Sequence, residues 1–363
     1  MSKKLKILAG AEHPGSANTI IPTIKTLQAN GEEVYILKPT EAVQALYDKN
    51  NLKVTHDSFE DLSADLILTG TAFERDKVNL EQKLLKLGKE RNIPTLAVLD
   101  FWNNYKERFT VDGEILSPTK IAIMDEYAKK GMLDAGFSEE ILEVTGQPAF
   151  DHLKNLAANF TETDKENVKR KLASKRVLVT HCLHTDAGLS RYEYGFNDDM
   201  VVASVLDAMQ KWNDVTYVLR AHPRELDKQR DTYNPGKFEY YRYLASKAGV
   251  DVVVQGDVTT DEACLASDLV VGVFSTMLVN CAYMDLNHVS LSPYSKKDLN
   301  ELLITRKLGV TPYADTFAES VELVKKALFD EQYKEEQAVK RSTFKTDGKA
   351  GERVTKLVYD LFK

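Results

Sequence analysis

Short apolar strands alternate with helical stretches along this chain, the pattern halts once, and then it starts again. Leu5–Ala9, Glu33–Leu37, Ala64–Thr69, Thr95–Leu99, Lys120–Met124 and Leu142–Thr145 read as strands. Helices fit between them, among them Asn18–Asn30, which ends at Gly31, and Asn79–Arg91. Strands that alternate with helices imply βαβ units, a parallel sheet and right-handed crossovers. At Gly146-Gln147-Pro148 the pattern stops; a helix and a polar stretch from Asn159 to Glu166 follow. The alternation resumes with Arg176–Thr180, Val215–Leu219, Val252–Val254, Leu269–Gly272 and His288–Leu291. The expected fold is therefore α/β, with two Rossmann-like domains facing a central cleft, residues 1–152 and residues 153–345. The tail from Glu331 reads as helical and charged, with Val354, Leu357, Val358 and Leu361 at helical spacing. It is expected to pack back across the first domain, residues 346–363 forming the terminal helix.

A chain of 363 residues is long for one core and comfortable for two. Its net charge of −7 argues against a broad electrostatic nucleic-acid surface. No apolar run approaches a transmembrane span, and Met1-Ser2-Lys3-Lys4 leads straight into a strand rather than a signal peptide. Cys182, Cys264 and Cys281 have no paired spacing and read as reduced core thiols, not as a disulfide or zinc framework. A cytoplasmic protein with no transmembrane segment is expected, which leaves room for peripheral membrane contact.

In open α/β sheets, ligands sit beyond the carboxyl ends of the strands. Arg220-Ala221-His222-Pro223 comes directly after an apolar strand, and Pro223 biases His222 to an extended conformation that projects its ring. A His there carries a switchable proton near neutrality and, flanked by Arg220 and Arg224, suits a phosphate. The plainer reading is a strand-end His bonded to a neighbouring loop. Ser275-Thr276 opens a helix after the strand ending at Gly272; its hydroxyls can cap that helix and also contact a phosphate. In the first loop, Glu12 and His13 are acid–base candidates next to Gly15, or a polar loop capped by Asn18. The spaced glycines of a dinucleotide loop are missing there. Asp100 follows the strand ending at Leu99 and is a second candidate base; Asp125-Glu126 stands similarly, and either aspartate could simply cap a helix. His181, Cys182, His184 and Asp186 are too tightly spaced to converge on a metal. His184 and Gly188 are instead expected to line a phosphate or acceptor loop. No Asp-x-Asp occurs, so no metal and no cofactor are expected, with helix dipole and cationic side chains stabilising a leaving group.

This pattern resembles the GT-B superfamily of glycosyltransferases and their relatives. Val144-Thr145-Gly146-Gln147-Pro148 followed by Asp151 looks like the junction where UDP-N-acetylglucosamine 2-epimerases and CDP-glycerol glycerophosphotransferases leave their first domain. Arg220-Ala221-His222-Pro223 looks like the glycerophosphotransferase motif and the His-Pro of bacterial sialyl- and Kdo-type transferases. Ser275-Thr276 stands where those enzymes carry two serines. The resemblance implies a metal-independent transferase that moves a glycosyl or polyol-phosphate group in surface polysaccharide or glycoconjugate synthesis. Its donor would be CMP- or CDP-linked, with UDP-linked as the variant, and its acceptor a glycan or a lipid-linked acceptor. The first domain would then face the acceptor and the second the nucleotide donor. The alternatives are a UDP-N-acetylglucosamine 2-epimerase-type epimerase or hydrolase, and a protein that only binds glycan or nucleotide.

Overall fold

The computed structural model describes residues 4–74, 77–184, 189, 191–210, 212–221 and 235–363. The chain divides into two compact units, one of Met1–His152 with Thr346–Lys363 and one of Leu153–Lys345.

The strands of the first unit are β1 (Lys6–Gly10), β2 (Glu33–Ile36), β3 (Leu66–Thr69), β4 (Thr95–Val98), β5 (Thr110–Val111), β6 (Glu114–Ile115), β7 (Lys120–Ile123) and β8 (Leu142–Val144). Six of them form a sheet in the order β2-β1-β3-β4-β7-β8, every pairing parallel, while β5 and β6 make a small antiparallel hairpin. Both faces are covered, as a parallel sheet requires. On one face α1 (Pro14–Ala29), α2 (Glu41–Lys49) and the terminal helix Ala350–Asp360 pack Ile20, Ile24, Tyr47, Val354 and Val358 against Ile7, Leu66, Leu68 and Val98. On the other, α3 (Leu80–Arg91) brings Leu84 and Leu87 onto Leu8 and Ile67. Each such buried aliphatic side chain contributes roughly 1.5–3 kcal/mol.

The second unit repeats the plan with β9 (Val177–Cys182), β10 (Val215–Arg220), β11 (Asp251–Val254), β12 (Leu269–Gly272), β13 (His288–Leu291) and β14 (Tyr313–Ala314). Their order is β11-β10-β9-β12-β13-β14, again parallel throughout. Helices Asp198–Met209, Pro235–Ala248 and Phe317–Phe329 supply Val201, Tyr241 and Val324 to one face. Helices Glu162–Lys171 and Thr260–Ala266 supply Val168 and Ala266 to the other, where Leu178 and Val218 lie.

The helical tail divides. Glu331–Arg341 belongs to the second unit, and only the chain from Thr346 onward joins the first. The break at residues 342–349 separates the two helices. What anchors the terminal helix is Asp151, whose carboxylate accepts the Ala350 N–H at 3.1 Å and the Gly351 N–H at 2.7 Å. Arg353 adds a bond from Nε to the Thr145 carbonyl at 2.6 Å. Asp151→Ala removes this cap and is expected to cost about 1–2 kcal/mol. Hydrogen exchange should show it as faster exchange confined to residues 350–360, and unchanged protection there would contradict the role.

Candidate functional site

In the first unit the chemistry gathers at the carboxyl edge of β1, β3 and β4. Helix α1 begins at Pro14, earlier than the expected Asn18, because Pro is favoured in the first turn and His13 takes the extended cap conformation (φ −113°, ψ 151°). Gly70, just past β3, passes against this first turn: a Cβ on it would stand 2.5 Å from the Ser16 Cβ. That close approach brings the loop after β3 alongside Glu12 and His13.

Asp100 is nearly buried, with its side chain 14% exposed, and it is held from several sides. Arg108, 5% exposed, pairs with Oδ1 and also donates to the Thr71 and Asn103 carbonyls. The Thr71 hydroxyl donates to the same oxygen at 3.1 Å, and Gln147 Nε2 donates to the carbonyls of Leu99 at 2.8 Å and Asp100 at 3.1 Å. Oδ2 faces the first turn of α1, 3.6 Å from where a Gly15 Cβ would be. Burial holds the Asp100 carboxyl above the ordinary aspartate range despite Arg108, Thr71 and the nearby His13.

His13 is paired. Its Nε2 lies 2.6 Å from Glu74 Oε1, while Lys77 Nζ is 2.9 Å from Glu74 Oε2 and 2.8 Å from Glu12 Oε1. Glu12 is otherwise spent on structure, because its second oxygen accepts the Leu80 N–H at the start of α3. Burial raises the Glu12 carboxyl, but Lys77 and the Leu80 N–H outweigh it and leave the group below its ordinary value. Glu12, an expected acid–base candidate, thus has one oxygen on Lys77 and the other on the Leu80 N–H. Glu81, 1% exposed, fastens three segments at once: Oε1 accepts from Glu12 N–H at 3.0 Å, from the Ser16 hydroxyl at 2.6 Å and from Ala72 N–H at 3.4 Å. Burial pushes its carboxyl up. Asp125 proves to be a cap, accepting from Ala128 N–H at 2.7 Å and Trp102 Nε1–H at 2.8 Å.

In the second unit, strand register sorts the candidates by face. Arg220 pairs with Cys182, Val218 with Thr180, and Thr180 with Val270, so these side chains share one face, and Gly272 continues it. Leu278 of the helix Thr276–Tyr283 lies 3.1–3.3 Å from where a Gly272 Cβ would stand, which puts that helix on the same face. Arg220 and the Ser275-capped helix therefore flank one stretch of sheet edge, two strands and about 10 Å apart. Ser275 caps the helix by accepting the Met277 N–H at 3.2 Å, and Thr276 is exposed.

Arg220 is 8% exposed. Its Nη2 reaches the Thr260 hydroxyl at 3.4 Å, while Nε and Nη1 have no hydrogen-bond partner among the described residues. Burial lowers the guanidinium pKa from its ordinary value, partly offset by Cys182, Cys264 and Glu262. Cys182 of β9, Cys264 of helix Thr260–Ala266 and Cys281 of helix Thr276–Tyr283 are all reduced and buried, with Cys182 Sγ 4.0 Å from Cys264 Sγ. Above β12, Phe274 meets the rings of His184 at 4.3 Å and Tyr194 at 5.6 Å between centroids. His222, Pro223 and Gly188 lie outside the described residues. His181, expected in the loop, is the penultimate residue of β9 and fully buried, bonding Tyr217 OH at 2.6 Å. Among the described residues no three His, Cys, Asp or Glu side chains converge as a metal site requires.

Two buried imidazoles set a pH dependence. Burial pulls His181 down to about 3 and His288 to about 4. Unfolded histidines titrate near 6.5, so below that pH the unfolded chain binds protons that the native one refuses. Their contribution is full above about pH 6.5 and is lost as pH falls toward about 4 for His288 and about 3 for His181, at about 1.4 kcal/mol per pH unit for each. Urea midpoints at pH 7, 6 and 5 should fall more steeply for the native protein than for His288→Gln; equal slopes would contradict a neutral His288.

No family model and no curated protein matches the sequence. Solved structures do. A UDP-GlcNAc 2-epimerase from Neisseria meningitidis, bound to UDP-GlcNAc, superposes with a TM-score of 0.70 at 13% identity, over 98% of this chain and 100% of that one. The S. aureus MnaA–UDP complex gives 0.65 at 15% identity, over 97% and 95%. A glycosyltransferase from Rickettsia africae gives 0.61 at 12% identity, over 99% of each chain. The fold, two Rossmann-like units each built on a parallel six-stranded sheet, is of the GT-B type. No helix among the described residues is long and apolar enough to cross a membrane.

Sequence reasoning missed Glu74, Lys77, Thr71, Arg108 and Glu81. Glu74 had a usable signal, since it follows strand β3 closely, where ligands of such sheets gather. Arg108 and Glu81 had none, because a 3-10 turn and a buried acid inside a helix leave no mark in spacing.

Proposed function

We propose that this chain is an enzyme of nucleotide-activated sugars, working on a UDP-linked N-acetylhexosamine without an acceptor, as a 2-epimerase or hydrolase does. The observation that carries the reading is Arg220, a buried cation with two N–H-bearing nitrogens that no described residue satisfies, beside the capped start of the Thr276–Tyr283 helix. A guanidinium kept dry and unsatisfied is costly unless a ligand anion completes it. The second unit would hold the diphosphate through Arg220 and the Ser275-Thr276 helix end, with His184 and Phe274 beside it and His222 as the motif residue assigned to the same task. Departure of a nucleoside diphosphate builds negative charge on its phosphates, and donors aimed there lower the barrier. The first unit would carry proton transfer, on Asp100 and His13.

The choice of UDP follows the solved structures: where a nucleotide is named for them, it is a uridine nucleotide. The expected CMP- or CDP-linked donor has no support among them. The transferase reading keeps the Arg220-Ala221-His222-Pro223 motif and the likeness to the Rickettsia glycosyltransferase. A thermal-shift panel separates the readings, since a ligand that binds only the native state adds about 2.7 kcal/mol at a hundred times its Kd. UDP and UDP-N-acetylglucosamine should raise Tm and CMP and CDP should not. The reverse order would favour the cytidine transferase, and no shift with any nucleotide would defeat both.

A further inference from the structure

We infer that Glu74 fixes His13 as the Nε2–H tautomer, which makes Nδ1 the proton-accepting atom of the loop after β1. The geometry is a chain of contacts. Glu12 accepts the Leu80 N–H at the start of α3, Lys77 bridges Glu12 and Glu74, and Glu74 meets His13 Nε2 at 2.6 Å. A neutral imidazole has one donor nitrogen and one acceptor, whereas an ionised carboxylate only accepts. Lys77 Nζ, 2.9 Å from Oε2, favours the ionised Glu74. Nε2 therefore carries the hydrogen, and Nδ1 carries the lone pair.

His13 is also fixed from its backbone. Its carbonyl accepts from Ala17 N–H at 2.9 Å, which holds the residue at the mouth of α1. The side chain is 42% exposed, and the Ser16 N–H approaches it in a capping-box arrangement that stops short of a side-chain cap hydrogen bond, as suits an Nδ1 that carries a lone pair. The exposed part of the ring can meet a ligand, while Asp100, the other candidate base, has Oδ1 occupied by Arg108 and Thr71. When Nδ1 takes a proton, the ligand's bond to hydrogen breaks, its electron pair stays on the ligand and an N–H bond forms. The positive charge that appears on the ring is balanced by Glu74 through the bond already in place. Glu74 is a positioning residue: it acts on the substrate only through His13.

The catalytic consequence rests on the function proposed above, and the tautomer does not. The test is a long-range proton–nitrogen NMR spectrum of the full chain with 15N-labelled histidine, His13 assigned by His13→Asn. Nε2 protonated and Nδ1 bare is the expected result, with the Nε2 proton resisting solvent exchange and losing that resistance in Glu74→Ala. In turnover of UDP-N-acetylglucosamine, Glu74→Ala should lower kcat roughly a hundredfold with KM little changed. Glu74→Gln, which keeps an acceptor but no charge, should recover part of it. A protonated Nδ1 in the native protein overturns the tautomer, and a Glu74→Ala kcat equal to the native value overturns the catalytic role. A native protein with no turnover defeats the functional reading, while the labelled spectrum still decides the tautomer.

Discussion

Replacing Arg108 with alanine is expected to destabilise the first unit by about 3–5 kcal/mol, the cost of leaving a buried charge without its partner. The partner is Asp100, and Arg108 also satisfies the Thr71 and Asn103 carbonyls, so the loss is not confined to one ion pair. Arg108→Lys keeps the charge but loses the planar fork that serves these acceptors together, and should fall between. Combining Arg108→Met with Asp100→Leu should recover much of the loss, since removing both charges leaves nothing unpaired. The chain has two tryptophans, Trp102 in the first unit and Trp212 in the second. Urea unfolding followed by Trp102 fluorescence in a Trp212→Phe background therefore reads the first unit alone. A loss below about 1 kcal/mol would mean the pair behaves as a surface salt bridge.

Arg220→Met should do the opposite. The substitution removes a buried cation whose Nε and Nη1 have no hydrogen-bond partner among the described residues, so stability should hold or rise. Nucleotide affinity should fall by about tenfold to a hundredfold, the worth of charge-assisted hydrogen bonds of about 1.5–3 kcal/mol. Ser275→Ala should cost less, because the backbone N–H groups at the start of its helix remain. An Arg220→Met protein that melts early yet binds UDP normally would make Arg220 a structural residue. The expectation is sharp because the two readouts move in different directions.

Most of the architecture was legible in the chain. β1, β3, β4, β10 and β12 are runs of apolar residues bounded by polar loops, and a parallel sheet buried on both faces demands such runs. Pro14 hid the true start of α1, since a Pro after a His reads equally as a turn. The end of β9 was misplaced because His181 and Cys182 look polar and reactive in sequence; in the fold His181 is neutral and buried against Tyr217. At the candidate site, strand-end position alone singled out His13, Asp100, Arg220 and Ser275. It could not tell that Glu12 is tied to Lys77 and Leu80, or that Asp100 depends on Arg108, because those contacts join residues with no fixed spacing. The junction Thr145-Gly146-Gln147-Pro148 was read as a boundary, and it also serves the site: Gln147 holds the backbone of Leu99 and Asp100.

The central claim is that this chain converts a UDP-linked N-acetylhexosamine without an acceptor. Proton NMR of UDP-N-acetylglucosamine incubated with the native protein tests it directly, with an Asp100→Asn sample alongside. The expected result is the appearance of the 2-epimer or of free UDP and sugar, slowed about a hundredfold or more in Asp100→Asn. An unchanged spectrum from a protein that UDP demonstrably stabilises would contradict it.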